Sequence, residues 1–291
     1  MMAEIRGFEE ATTAPWWLTV ETRMLMSMSP QTTVMVTAAS RLQAWANGVA
    51  LAITLVVNSL ANLLPMNGQT PSEIAARFPV YFVPADFTFG IWGLIYLALI
   101  SFVVYPLVAR QEAESAVGRI GWLFVLSCFG NAAWVLAWQY NYFTFSLVFM
   151  VIMVASVAAI YVRLGINRRL VAARERWIMH TPVSLYLGWL TVAAISNLSC
   201  VLYYRDWSGW GLSEASWMLI VLAMIAVLSF SIAWLRRDRV FLAVVVWALI
   251  GIASKHSGVE LVAGASAATA GLVAFLVILL TLGWHRAARQ A

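Results

Sequence analysis

Residues 143–164 read FTFSLVFMVIMVASVAAIYVRL, and the only charged side chain of this run, Arg163, stands next to its end. About 20 apolar residues in a helix cover the ~30 Å hydrocarbon core of a bilayer. Lipid offers backbone N–H and C=O groups no water to bond, so such a run has to be helical. The stretch therefore predicts a membrane-spanning helix.

Seven further apolar runs surround this one in the 291-residue chain. They cover residues 45–65, 86–108, 120–139, 178–203, 215–235, 239–254 and 260–284. The chain is 63% hydrophobic and 11% charged, against about 25% charged residues in soluble domains. We therefore predict an all-α integral membrane protein, a bundle of about eight transmembrane helices. The run 239–254 is the shortest and the most open to miscounting.

The basic residues follow the same division of the chain. The N-terminal tail, the loops 109–119, 163–177 and 236–239 and the C-terminal tail hold 15 arginines, whereas the intervening loops hold Arg77, Arg205 and Lys255. Loops rich in Lys and Arg stay in the cytoplasm, so both termini are predicted to be cytoplasmic. Because the positive charge lies in short loops between apolar runs, it indicates topology and not a nucleic-acid partner.

The segments outside the spans give simpler expectations. Glu4, Glu9 and Glu10 are incompatible with the basic start of a signal peptide, and 1–40 is predicted to be mostly a disordered tail. Prolines interrupt the longest outer loop, 66–85, which cannot be a continuing helix. Asp86 follows this loop at the spacing of a helix N-cap.

Catalytic and metal-binding signals are weak. The spans hold almost no ionisable side chains, and the sequence contains no metal-ligand spacing, paired carboxylates or glycine-rich phosphate loop. We predict no catalytic residues, no metal and no required cofactor. His180 is expected to be an interfacial side chain, and Lys255, His256 and Glu260 a solvated loop. An enzymatic role for these four residues is the third of three functional alternatives.

Aromatic and amide side chains recur instead at helical spacing. The sets are Phe89, Trp92 and Tyr96; Asn131, Trp134 and Trp138; Tyr186, Trp189, Ala193 and Asn197; and Asn58 and Asn62. Spacings of three and four residues place each set on one helical face. Unpaired amides are costly in lipid, so these faces should point into the bundle. Two interpretations remain open there: a pocket for a flat apolar ligand, or interhelical packing and hydrogen bonding.

Three of these segments resemble motifs of the tryptophan-rich sensory protein and translocator protein family, TspO/MBR. They are Val83-Pro84-Ala85-Asp86-Phe87-Thr88-Phe89-Gly90-Ile91-Trp92-Gly93-Leu94-Ile95-Tyr96, Gly130-Asn131-Ala132-Ala133-Trp134-Val135, and Leu185 to Asn197. They occur in the family's order on consecutive spans. In the first segment Pro84, Trp92 and Tyr96 fall in register, Phe89 is one place late, and the family's early Trp has no counterpart.

The resemblance implies a five-helix module over 45–203, with three additional helices in 204–291, as in a longer bacterial member. It implies a location in the bacterial cytoplasmic membrane, a bilayer environment and a flat hydrophobic ligand such as a porphyrin or a sterol-like molecule. A tetrapyrrole is thus the expected ligand class, and a homodimer is an open alternative. The implied ligand-binding residues are Trp92, Tyr96, Asn131, Trp134, Trp138, Trp189, Ala193 and Asn197.

The sequence therefore favours a membrane sensor or binding protein. The second alternative is a small-molecule transporter without ion coupling, suggested by more helices than a five-helix pocket needs. The third is a membrane enzyme acting on a lipid or pigment.

Overall fold

Eight long helices follow the eight apolar runs in a computed structural model of the chain. The structure describes residues 30–64, 66–109 and 116–288, with side chains from 38 to 283 within those ranges, and this part of the chain contains no strand. The long helices are α1 (Pro30–Leu63), α3 (Ile91–Val108), α4 (Leu123–Gln139), α5 (Phe143–Leu164), α6 (Thr181–Tyr204), α7 (Glu214–Leu235), α8 (Arg239–Lys255) and α9 (Glu260–Ala288). A short helix, α2, covers Pro71–Ala76.

Six helical segments of the described chain are long and apolar enough to cross a bilayer. They are Ala38–Leu63, Asp86–Val108, Phe143–Leu164, Ala173–Tyr204, Glu214–Leu235 and Glu260–Gly283. The other two long helices, α4 and α8, have 17 residues each, the lower limit of a spanning helix. The predicted all-α membrane bundle is thus confirmed.

The first helix begins earlier than the sequence suggested. α1 starts at Pro30 and therefore includes 30–40, the last part of the predicted disordered tail. The remainder of that prediction, 1–29, lies outside the described residues. Gln31, Thr32 and Ser40 lower the hydropathy of this stretch without preventing helix formation, so the apolar pattern marks only the membrane part of α1.

One end of the bundle is covered by the segment 66–90. Its helix α2 begins with a capping box, in which Thr70 accepts a hydrogen bond from the backbone N–H of Glu73 while the Glu73 carboxylate accepts one from the Thr70 N–H. Asp86 is not an N-cap as predicted: Ala85 occupies that position, and Asp86 opens a 3₁₀ turn, Asp86–Gly90, that leads into α3. We call this the capped end.

Contacts between loops show that the chain alternates between two ends. At the capped end Arg77 donates a hydrogen bond to Asn141, and the ring of Tyr81 contacts that of His256. At the opposite end Arg119 pairs with Glu175 at 3.4 Å. This second end carries the arginines of 165–176 and 236–239, and we call it the basic end.

Helices α6 and α8 pack closely in the interior. The Gly188 backbone lies so near α8 that an added Cβ would stand 3.1 Å from the carbonyl oxygen of Phe241. Small residues allow such close approach of membrane helices. Along α8, the side chains of Leu242, Ala248, Leu249 and Ile252 are fully buried. The run 239–254, which seemed most open to miscounting, is therefore a helix that packs against protein over much of its surface.

Candidate ligand-binding cleft

Two adjoining cavities lie between helices near the capped end. The larger, about 350 Å³, is lined by α1, α2, α3 and Trp134 of α4. The smaller, about 40 Å³, is bounded by α2, α3, α4 and α6. Pro71, Phe89, Trp92 and Trp134 line both cavities. We call the two together the aromatic cleft.

Seven of the eight sequence-derived binding residues line this cleft. Trp92 and Trp134 line both cavities, Tyr96 lines the larger, and Trp138, Trp189, Ala193 and Asn197 line the smaller. Asn131 lines neither. Helical spacing thus places the aromatic residues around one shared cleft, although they come from three different helices.

Two groups of rings form opposite walls. On one side Trp92 stacks on Tyr96, with ring centroids 5.4 Å apart, and meets Trp189 edge to face at 6.2 Å. On the other, Trp134 and Trp138 lie nearly parallel at 5.9 Å. Offset-stacked and edge-to-face pairs are the favourable arrangements of aromatic rings. The rings within each group therefore support one another and present flat apolar surfaces to the cleft.

A chain of hydrogen bonds forms the floor of the cleft, away from the capped end. The Asn58 amide donates to the Asn131 side-chain oxygen at 2.7 Å, and the Asn131 amide donates to the Tyr186 hydroxyl at 3.2 Å. Tyr186 in turn donates to the Met153 sulfur at 3.0 Å. These bonds link α1, α4, α6 and α5. Asn131 thus joins helices, as the packing interpretation expected, while the aromatic residues above it surround the cavity.

The segment that closes the capped end contributes lining residues that the sequence did not single out. Pro71 and Ala75 of α2 face the smaller cavity, and the Pro71 carbonyl accepts a 3.0 Å hydrogen bond from the Trp138 indole. Gln139 is buried and donates to the backbone oxygens of Ala61 and Gln69. The capping box around Thr70 is a readable signal for α2, but nothing local indicates that it packs on Trp138.

Three polar hydrogens around the cleft have no partner. The Trp134 and Trp189 indole N–H groups and the Tyr96 hydroxyl are buried and unbonded among the described residues, although Tyr96 lies near Asn131 and Tyr186. A buried donor without an acceptor costs on the order of 1–3 kcal/mol. All three belong to residues that line the cleft. The arrangement suits a flat molecule that carries hydrogen-bond acceptors.

A family model described as TSPO-like protein matches residues 44–282. The chain belongs to the TSPO-like protein family. The match confirms the resemblance drawn from the three motifs, and membership makes the chain an integral, multi-pass membrane protein. Neither a curated protein nor a solved structure matches the chain.

The TSPO-like match runs past residue 203 and through most of α9. The last three helices therefore fall within the matched region. Their contacts agree: the Trp247 indole of α8 donates to the Thr88 carbonyl at 3.0 Å, and the Ala85 N–H donates to the Gly251 carbonyl at 3.1 Å. Helix α8 thus holds the turn that carries Phe89 and Trp92 into the cleft.

The residues considered for catalysis lie elsewhere in this TSPO-like chain. His180 is 3% exposed near the basic end, so it is a buried side chain and not a freely exposed one. Lys255 and His256 are half-buried at the capped end, while Glu260 is exposed. No group of His, Cys, Asp and Glu side chains in the described ranges has metal-binding geometry.

Proposed function

We propose that this membrane protein binds a flat, mostly apolar ligand of the porphyrin or sterol-like class in the aromatic cleft. The observation that carries the proposal is the set of unbonded donors on Tyr96, Trp134 and Trp189, between stacked aromatic walls. The 350 Å³ cavity falls in the ~300–1,000 Å³ range of small-molecule sites. Flat rings match the walls, and ring or carboxyl acceptors match the donors.

Binding without passage is the function favoured over transport. The cleft opens between α1 and α3, where Ser59, Asn62 and Gly93 are exposed. Its other side is closed by the hydrogen-bonded floor of Asn58, Asn131 and Tyr186. A ligand would enter and leave by the same opening. Proteoliposomes with and without a gradient separate the alternatives, because protoporphyrin flux would contradict a binding role.

The binding test uses protoporphyrin and follows its absorption as purified protein is added. Trp134→Phe keeps the ring and removes the donor, and we expect it to weaken affinity by about tenfold, the effect of roughly one hydrogen bond. Asn131→Ala, which breaks the floor, should also weaken binding. The matched control is Trp234→Phe, an indole 76% exposed at the basic end, which should leave affinity unchanged. If Trp134→Phe and Asn131→Ala both bind like the wild type, the cleft is not the site.

We also propose that the basic end faces the cytoplasm of a bacterial cell, with both termini on that side. The support is the concentration of arginines in the loops 165–176 and 236–239, as the positive-inside rule requires. A reporter active only in the cytoplasm, fused to the C-terminus or inserted in the loop 205–213, tests the orientation. Activity from the loop fusion and none from the C-terminal fusion would reverse it.

A further inference from the structure

A further cavity lies at the basic end and takes no part in the aromatic cleft. It measures about 780 Å³ and is enclosed by the loop after α5, the start of α6, the end of α7, the start of α8 and the C-terminal part of α9. Five arginines line it: Arg168, Arg169, Arg176, Arg237 and Arg239. We call it the basic cavity.

One carboxylate lines the basic cavity, and its hydrogen-bonding capacity is already used. Asp238 is 1% exposed and accepts hydrogen bonds from the hydroxyls of Tyr161 and Ser184 at 2.8 and 2.6 Å. Its other oxygen accepts from the backbone N–H groups of Val240 and Phe241, both at 3.1 Å. Asp238 therefore caps α8 and cannot also form ideal pairs with the arginines around it.

Three of the five arginines have no carboxylate partner in the part of the chain around the cavity. Across 116–283, the part of the chain that includes this cavity, no ion pair is formed by Arg168, Arg169 or Arg237. All three side chains are exposed to water. Guanidinium groups gathered on one cavity favour an anion with several acceptor oxygens, and phosphate matches their planar donor geometry.

A buried histidine gives a second, independent sign of a ligand. His180 lines the cavity, is 3% exposed, and its Nε2 atom has no hydrogen-bond partner among the described residues. Buried polar atoms are nearly always bonded, and the exceptions call for a physical reason. A small shift of the buried ring toward the cavity would let an acceptor oxygen of a bound anion satisfy this nitrogen in its N–H form.

Part of the remaining lining is apolar. Leu279 and Leu280 of α9 and Ala233 of α7 form one wall. At the rim, Trp177 and Trp234 are 69% and 76% exposed. Exposed Trp side chains at a helix end mark the level of lipid head groups. The cavity thus joins a cationic pocket to a lipid-facing apolar surface at the depth where head groups lie.

We propose that the basic cavity binds the phosphate of an anionic phospholipid, with the acyl chains along α9. A free anion could supply the same phosphate chemistry. It would leave the leucine wall and the exposed tryptophans without a contact, whereas the acyl chains and head group of a lipid would cover them. Basic pockets between helices are a recognised means of binding anionic head groups. The site is independent of the aromatic cleft and does not rest on the ligand proposed there.

The test compares lipids added to the purified, delipidated protein in mild detergent. Bound lipid is counted by native mass spectrometry with phosphatidylglycerol or phosphatidylcholine. We expect saturable binding of one phosphatidylglycerol, with phosphatidylcholine at least about tenfold weaker. The variant R168Q/R169Q/R237Q should lose this preference. The matched control, R77Q/R205Q, removes two arginines from the capped end and should keep it.

Each contrary result has a distinct meaning. Equal binding of the two lipids, or equal loss in the control variant, would overturn the proposal, because the effect would be general attraction to charge. A parallel titration with inorganic phosphate follows thermal unfolding. Stabilisation by phosphate alone that needs Arg168, Arg169 and Arg237 would identify a soluble ligand and overturn the lipid assignment. Protoporphyrin affinity of the triple variant should stay at the wild-type value, whatever the outcome for the cleft itself.

Discussion

The two ends of the bundle are built for different chemistry. The aromatic cleft at the capped end is lined without a single charged residue, and its polar atoms are indole, hydroxyl, amide and backbone groups. The basic cavity at the other end is lined by five arginines and one saturated carboxylate. The hydrogen-bonded floor that includes Asn131 and Tyr186 lies below the cleft. One scaffold thus carries an uncharged aromatic cleft at one end and, separately, an arginine-rich cavity at the other.

Helix α8 lines the basic cavity at one end and holds the turn beside the aromatic cleft at the other, in a different way at each end. At the basic end it is fastened by Asp238, through polar bonds to α5 and α6. At the capped end it is fastened by close packing, since Gly251 lies against Thr88 and Trp247 bonds the Thr88 carbonyl. Substitutions at the two ends of α8 can therefore separate stability from ligand binding.

The largest expected effect follows Asp238→Ala. Four donors lose their acceptor: two hydroxyls and the first N–H groups of α8. The loss of these bonds to a charged acceptor, together with the loss of the helix cap, should lower the free energy of unfolding by about 3 kcal/mol. Unfolding in mixed micelles measures this loss, while protoporphyrin affinity of the folded fraction should remain within about twofold of wild type.

Ser213→Ala provides the matched control for this substitution. Ser213 caps α7 through one hydrogen bond to the Ser216 N–H at an exposed helix start. Its loss should cost only about 1 kcal/mol. If Asp238→Ala costs no more than Ser213→Ala, the buried bonds to Tyr161 and Ser184 contribute little and α8 is not held at that end.

A smaller effect is expected for Gly251→Ala, and it should fall on ligand affinity and not on the free energy of unfolding. A Cβ at this position would overlap the Thr88 side chain, so the turn Asp86–Gly90 must shift and carry Phe89 and Trp92 with it. We expect protoporphyrin affinity to fall by about tenfold, or ~1.4 kcal/mol. The titration that tests Trp134→Phe measures it.

The control for Gly251→Ala is Gly264→Ala in α9, where an added Cβ meets nothing within 4 Å. This change should leave affinity unaltered and stabilise the helix slightly. A second variant, Thr88→Ala on the Gly251→Ala background, removes the overlapping hydroxyl and methyl and should restore part of the affinity. Unchanged binding in Gly251→Ala would show that α8 does not position the cleft.

The sequence was sufficient to place most of the fold. Apolar runs predicted 86–108 and 143–164, and the structure has spanning segments at Asp86–Val108 and Phe143–Leu164. Such agreement follows from the uniform demand of lipid for apolar side chains. The start of α1 was missed because helix formation beyond the membrane does not need apolar residues. The burial of α8 was missed because a helix that packs against protein and one that faces lipid have similar composition.

The candidate site was predictable in part. Spacings of three and four residues placed Trp92, Tyr96, Trp134 and Trp138 on faces that the structure brings together. The position of Asn131 below the cavity was not predictable, because spacing gives a face and not a depth. Nor was the role of α2, whose contact with Trp138 joins residues 67 positions apart in the chain. Local pattern therefore gives the lining of each helix, and only the assembled structure gives the boundary of the cleft.

The smallest expected effect is a pH dependence of stability that arises at the capped end. His256 at the capped end lies partly buried beside Tyr81 and Lys255, and burial with the nearby Lys255 charge lowers its pKa. The unfolded chain then binds the proton more readily, so the free energy of unfolding should decrease as pH falls below about 6.5, the ordinary value for His. We expect a loss below about 1 kcal/mol, because a half-exposed charge is screened by water. His256→Gln should remove this part of the pH dependence, and an unchanged pH profile would assign the loss to another group.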